Sequence, residues 1–240
     1  MTILSLNIEV YSDWKEPLTP KTAVNDTYEI AKQIDVLFGY SKTWYLSGDT
    51  LEAALTRVAF DKQGITKDAI NEFEEGYTED YPMVISGVWD GKNNTDGCAI
   101  FYHNYRMNQL GQTKIEINIS IKEKEFQFLK LIDFIKFLVS SHNTPSIMIE
   151  NGKYSLKRKQ VFSDRISAGW MLYLPIENDP TLASMAEEII SIPDKENNIG
   201  TLIITTKDIF DIENKEHINK ANDIEICLRD LRLLPLISEV

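Results

Sequence analysis

The residues that could do chemistry are few and scattered. Histidines stand at His103, His142 and His217, tens of residues apart. None is followed at i+3 or i+4 by a second His, Cys or carboxylate, the spacing through which a zinc site gathers its ligands. Neither a metal nor a cofactor is expected. Cys98 and Cys227 are distant from each other and each sits inside an apolar pattern, which suits two buried, reduced thiols better than a disulfide and places the chain in a reducing cytoplasm. No G-x-S-x-G elbow, phosphate-binding glycine loop or dinucleotide fingerprint occurs. Ser86-Gly87 lies in a predicted strand, where glycine marks a bulge or a close backbone approach. Paired-carboxylate catalysis needs one acid buried enough to hold its proton beside an ionised partner. Among 37 acids such pairs arise by chance. Glu116 and Asp133 read as solvent-facing positions of an alternating strand and an amphipathic helix. No catalytic residue is assigned.

Two charge clusters stand out. Glu72, Glu74, Glu75, Glu79 and Asp80 fall within nine residues that contain no basic side chain and are interrupted by Phe73, Tyr77 and Tyr81. They read either as a solvated helix end and loop or as a partner-binding patch. In the second reading Glu72, Glu74, Glu75, Tyr77, Glu79 and Asp80 form the contact surface, with aromatic anchors supplying energy and charges steering the encounter. The basic run Lys153, Lys157, Arg158 and Lys159 reads as a polar hairpin loop. Aromatics beside glycines, in Gly87-Val88-Trp89-Asp90-Gly91 and Gly169-Trp170-Met171-Leu172-Tyr173, read as core packing in which the indole N–H finds a carbonyl. Trp44 and Tyr45 read the same way.

These residues hang on a recognisable order of elements. Met1 to Val10 alternates as a half-buried strand and lacks the basic start of a signal peptide. Thr19-Pro20 starts a helix that Gly39 stops near Phe38. An extended piece, 43–46, leads to a helix capped by Asp49 and running through Phe60, and Gly64 and Thr66 open another over 67–75. The middle is sheet: 83–89, 97–103 and 113–121, with turns at 90–97 and 108–112. In the third strand KIEINISI alternates cleanly, so one of its faces is wet. A helix over 124–141, strands near 146–150 and 169–174, a helix from Pro180 to Ile190, a strand 202–206 and a helix 215–233 complete the chain, with Pro235 as the stop. The pattern predicts an α+β fold: a mainly antiparallel sheet with helices packed over one face. It fits one domain, 1–240, or two tightly fused halves, 1–145 and 146–240.

Composition narrows the function. The 240 residues carry 25 Lys and Arg against 37 Asp and Glu, a formal charge of −12. A chain so acidic does not supply the basic stripe that neutralises phosphates, which argues against direct nucleic-acid binding and against an anionic membrane. The most apolar stretch, 126–139, is broken by Lys130, Asp133 and Lys136, so no membrane span is expected. At 43% hydrophobic residues the chain has enough apolar surface to fold.

Trp44-Tyr45-Leu46-Ser47-Gly48-Asp49, the helix type Leu51-Glu52-Ala53-Ala54-Leu55, Gly87-Val88-Trp89 overlapping Trp89-Asp90-Gly91, and the closing stretch from Leu228 to Leu236 together resemble the Imm52 immunity-protein family. The likeness spans most of the chain. It implies an α+β fold and a protein encoded beside a polymorphic or type VI secreted toxin. It further implies a cognate partner that is often a nuclease with a basic surface, neutralised by stoichiometric binding of a monomer or homodimer. The family motifs imply structural roles and mark no catalytic site. Two other classes stay open: a hydrolase with an unrecognised carboxylate pair, which needs a cleft where acids converge, and a non-inhibitory adaptor of a secretion system, which needs repeating assembly.

Overall fold

The structure, a computed structural model, describes residues 2–92, 97–106 and 109–240. Its elements run β1 (Ile3–Asp13), α1 (Pro20–Phe38), β2 (Trp44–Leu46), α2 (Leu51–Thr56), β3 (Val58–Asp61), β4 (Gly64–Ile65), α3 (Lys67–Glu74), β5 (Ile85–Trp89), β6 (Cys98–Arg106), β7 (Gln109–Lys122), α4 (Phe128–Ser141), β8 (Ser146–Asn151), β9 (Met171–Leu174), α5 (Pro180–Met185), β10 (Glu188–Pro193), β11 (Ile199–Ile204) and α6 (Lys215–Asp230). The fold is α+β, and the described strand pairings with a recorded register are antiparallel. The turns expected at 90–97 and 108–112, and Met1 of the first strand, fall partly or wholly outside the described residues. No helix among the described residues is long and apolar enough to cross a membrane.

The chain divides into two compact units, Met1–Ile3 with Asp13–Leu138 and Leu4–Ser12 with Val139–Val240. In the first, strands lie in the order β7-β6-β5-β2-β3-β4. Thr19 caps α1 by accepting the Thr22 N–H at 3.1 Å, and Gly39 closes it at φ 78°, a left-handed turn that glycine adopts without strain. Helix α1 buries Ile30 and Ile34 and packs on β6, and α3 buries Ala69 and Phe73 and packs on β3 and β5, while Val88, Ile100, Tyr102, Ile115 and Ile117 of the sheet are buried. Strand β7 alternates as expected, burying Thr113, Ile115, Ile117, Ile119 and Ile121 while the residues between them reach solvent. The register puts Ile85 opposite His103 and Gly87 opposite Phe101 on the outer face, where Ile85 and Phe101 stay exposed. A Cβ on Gly87 would stand 2.9 Å from the Ile100 carbonyl oxygen, the close approach that the strand glycine signalled.

In the second unit the order is β10-β11-β9-β8-β1. Strand β9 is buried at every position, and Trp170 just before it donates to the Thr206 carbonyl at 2.9 Å. Helix α6, capped by Asn214, buries Ala221, Ile224 and Leu228, and packs with α5.

Two predicted helices end early because pairing claims their second halves. Helix α2 starts from Thr50, not Asp49, and stops at Thr56. Val58 and Phe60 then pair with Tyr45 and Trp44, burying Ala59 and Phe60. Likewise α5 stops at Met185, and the isoleucine-rich run Ile189-Ile190-Ser191-Ile192 pairs with β11. In both places strand pairing with a buried neighbour overrides local helix preference. Cys98 and Cys227 are buried free thiols, and burial pushes the Cys98 thiol up to about 12.

Candidate functional site

The acidic segment begins on α3. Thr66 caps the helix by accepting the Ala69 N–H at 3.2 Å and donates its own proton to the Val58 carbonyl at 2.7 Å. With Ala69 and Phe73 turned into the core, Asp68, Asn71, Glu72 and Glu75 follow one another at i, i+3, i+4 and i+7 along one side of the helix. Together with Glu74 and Arg57 they line an open groove of about 530 Å³. Arg57 is its one cation among the described lining residues, and it is already engaged. It donates to Glu72 at 2.6 Å and to the Ser47 carbonyl at 2.6 Å. Asp68, Glu74 and Glu75 form no ion pair among the described residues.

The groove gathers three of the six patch residues expected from sequence: Glu72, Glu74 and Glu75. Tyr77, half-buried, follows Gly76 (φ 75°), and its N–H meets the Glu74 carbonyl at 3.1 Å. Glu79 and Asp80 are exposed at the centre of a tight Thr78–Tyr81 turn, closed by the Tyr81 N–H on the Thr78 carbonyl at 3.2 Å. None of these three lines the groove. Phe73, counted among the aromatics of the segment, belongs to the core at 1% exposed.

The placement of charge on α3 is unfavourable for the helix itself. Its first turn carries Asp68, which suits the positive end of the helix dipole, but its last turn has no basic residue. Glu72, Glu74 and the capping Glu75 crowd the negative end, where each exposed anion costs about 0.3–1 kcal/mol at low salt. Asp68 and Glu72 at i, i+4 repel further. Only Arg57 offsets this.

Elsewhere the buried ionisable side chains Lys42, Asp90, Glu150 and Glu225 are committed to partners inside the protein. Lys42 Nζ meets Asp90 Oδ2 at 2.6 Å, with side chains 2% and 0% exposed, and lies 4.1 Å from the centre of the Phe38 ring. Trp89 donates to the Leu46 carbonyl at 3.2 Å, and a Cβ on Gly91 would strike the Tyr45 ring at 2.8 Å. In the second unit Glu225, 1% exposed, accepts N–H groups of Val161 at 2.7 Å and Ala168 at 3.0 Å. Burial raises its pKa, those N–H groups and the Tyr154 hydroxyl lower it, and the Glu150 charge raises it again. Glu150 accepts the Ser155 hydroxyl at 2.8 Å and the Ser167 hydroxyl at 2.6 Å. This pair of acids pins the irregular segment 152–168, including the turns that hold the basic run. Sequence reading missed it. The available signal was helical spacing: Ala221, Ile224, Glu225 and Leu228 share the apolar side of α6, so an acid there had to find partners indoors.

Among the described residues no group of three or more His, Cys, Asp or Glu is placed to hold a metal ion. His217 Nδ1 accepts the Asp211 N–H at 3.0 Å with its ring stacked on Phe210. His103 stands beside Phe101 in mid-strand, with ring centres 5.2 Å apart.

No family model matches the chain, and no curated protein matches it in sequence. Among solved structures it is similar to a Pseudomonas aeruginosa T6SS protein, with a TM-score of 0.48 and 9% identity over 84% of this chain. The chain spans 65% of the length of that protein.

Proposed function

We propose that this protein is an immunity protein of the Imm52 kind, which binds a cognate bacterial toxin one to one and neutralises it by occupancy, transforming no substrate. The observation that carries the reading is the groove on α3. Of its three carboxylates without ion pairs, Glu74 and Glu75 sit at the negative end of the helix, where they weaken it, and local rules broken with little internal compensation are characteristic of binding surfaces. Such a surface complements a basic one, as on a nuclease that grips phosphates. Opposite potentials raise the association rate, and carboxylates take the place of substrate phosphates. Glu79 and Asp80 extend the negative field beyond the groove, and Tyr77 with the 47% exposed Tyr81 supplies aromatic anchors. The motif likeness at 44–49 and 87–91 supports the same family, and its residues have the structural roles described above. A type VI secretion context follows from that likeness.

The test is co-expression with the open reading frame immediately upstream of the gene. Growth arrest relieved by this chain, and a one-to-one complex in titration calorimetry, are the expected results. The triple variant E72K/E75K/D80K should weaken that complex at least tenfold, about 1.4 kcal/mol. Turnover of any substrate by the purified protein, or survival without complex formation, would overturn the reading. A complex of unchanged affinity in the triple variant would move the contact surface elsewhere.

A further inference from the structure

The basic run, expected from sequence to form a polar hairpin loop, makes one helical turn instead. The Lys157 N–H meets the Lys153 carbonyl at 2.9 Å, the Arg158 N–H the Ser155 carbonyl at 2.8 Å and the Lys159 N–H the Tyr154 carbonyl at 3.1 Å. The last two bonds are those of a Schellman ending, in which the residue at the place of Arg158 is left-handed and is usually glycine. Arg158 adopts that conformation at φ 54°, and Lys153, at the start of the turn, stands at φ 65°. A side chain there costs stability that glycine avoids. Basic side chains are thus kept at both positions against local preference. Lys153, Lys157 and Arg158 are exposed and Lys159 is half-buried. None of the four forms an ion pair among the described residues.

The turn is also stiff. Tyr154, fully buried, donates its hydroxyl to Asn222 Oδ1 at 2.7 Å and to Glu225 Oε1 at 3.2 Å, with its ring edge to face on Phe210. Ser155 gives its N–H and its hydroxyl to Glu150, and Val161 gives its N–H to Glu225. With the chain anchored on both sides of it, Leu156 cannot fold back to the core. It stays 73% exposed, with Lys153 before it and Lys157 and Arg158 directly after. Two chemistries therefore meet on one protruding turn: free cations and an apolar tip. Duplex nucleic acid offers the anions but nothing for the leucine, and an acidic protein would need a pocket shaped to it. The boundary of an anionic bilayer supplies both, headgroup charge at one level and acyl carbon just beneath. We propose that the turn 153–159 docks on an anionic lipid surface, with its cations among the headgroups and Leu156 entering the acyl boundary. The formal charge of −12 argues against a membrane partner for the chain as a whole. Screening over about 8 Å at physiological salt lets a single turn act locally, and the remaining negative charge keeps the attachment weak and reversible. This inference is independent of the toxin-binding reading and concerns the second unit only.

Co-sedimentation of the full chain with vesicles tests it, comparing pure phosphatidylcholine with phosphatidylcholine containing roughly one-third phosphatidylglycerol. A cation near such a surface is worth about fivefold in partitioning. The expected result is binding to the anionic vesicles at least tenfold above the neutral ones, lost near 1 M salt, where the screening length is about 3 Å. K157E/R158E should lower it tenfold or more, and L156S severalfold at unchanged charge. R158G separates docking from folding: it should weaken binding about fivefold while leaving Tm unchanged or higher, because glycine is at ease in the left-handed position. The proposal falls if anionic and neutral vesicles bind alike, or if K157E/R158E binds as the parent does. It falls if L156S changes nothing, because the tip then takes no part. It falls also if duplex DNA at the same salt binds more tightly than the vesicles, which would make the turn a nucleic-acid contact, or if R158G lowers Tm, which would give Arg158 a structural role.

Discussion

Replacing Glu75 tests whether α3 really carries charge against its own stability. Glu75 caps the C-terminal end of the helix and stands three residues after Glu72. Removing its charge in E75Q relieves an anion at the negative pole, worth about 0.3–1 kcal/mol, and an i, i+3 repulsion of about 0.2–0.5 kcal/mol. Because the side chain is exposed, the lower halves of both ranges apply, giving roughly 0.5 kcal/mol for E75Q and about 1 kcal/mol for E75K, which adds a favourable cation. For a chain of this size that is a Tm rise of about 1–4 °C. Calorimetry at low ionic strength reads it directly, and repeating the scan near 1 M salt, where the screening length is about 3 Å, should erase most of the gain. The same substitutions should slow association with a basic partner and flatten its salt dependence. A stabilised protein that binds more slowly is the joint signature. If E75K lowers Tm at low salt, the acids are integrated into the fold, and the groove loses its claim as a binding surface.

Two other perturbations probe the interior. K42M leaves the Asp90 carboxylate buried without its cation and should cost about 3–5 kcal/mol, whereas K42M/D90L, which removes both charges, should recover most of that loss in thermal or urea unfolding; equal costs for single and double variants would contradict it. Burial of Asp194 opposes its ionisation, but the Asn198 amide and the backbone N–H groups of Thr144, Asn198 and Glu196 outweigh it and hold the pKa below the usual carboxylate value. Its contribution to stability is therefore present above the unfolded pKa of about 3.9 and lost as pH falls through the lower folded value. Asp194→Asn should lower Tm at pH 7 and lose its penalty in strong acid, and a pH-independent penalty would show that shape, not charge, is what the loop requires.

The sequence was informative wherever a local signal acted alone. Thr19-Pro20 and Gly39 bound α1 because a cap, a fixed φ and a left-handed stop need no distant partner. KIEINISI showed its wet face because alternation reports burial directly. The helix expected through Phe60 and the one expected to Ile190 failed where a distant strand supplied the deciding hydrogen bonds, information absent from any window of neighbours. The acidic segment was visible as composition, but its partition was not. Helix phase carried Phe73 inward and Glu72 and Glu75 outward, and the Gly76 turn separated Glu79 and Asp80 from the groove.

The residues that carry the family likeness and those that could meet a partner are separate sets, for a physical reason. Asp90 is committed to Lys42, Trp89 to the Leu46 carbonyl, and Gly91 to the space beside the Tyr45 ring. These three contacts tie the stretch 42–46 to the stretch 89–91. Each is intolerant of change: a buried charge needs its partner, a half-buried indole needs its carbonyl, and a Cβ at Gly91 would collide. Side chains locked in this way cannot also adapt to a binding partner. The α3 acids are the reverse case, exposed and held by little beyond Arg57, so they can be exchanged at small cost or even gain to the fold. A surface of that kind can follow a changing partner while the clamp stays fixed. On this view transplanting residues 67–81 between two such proteins should transfer partner choice with little change in Tm, whereas transplanting 42–46 without 89–91 should unfold both.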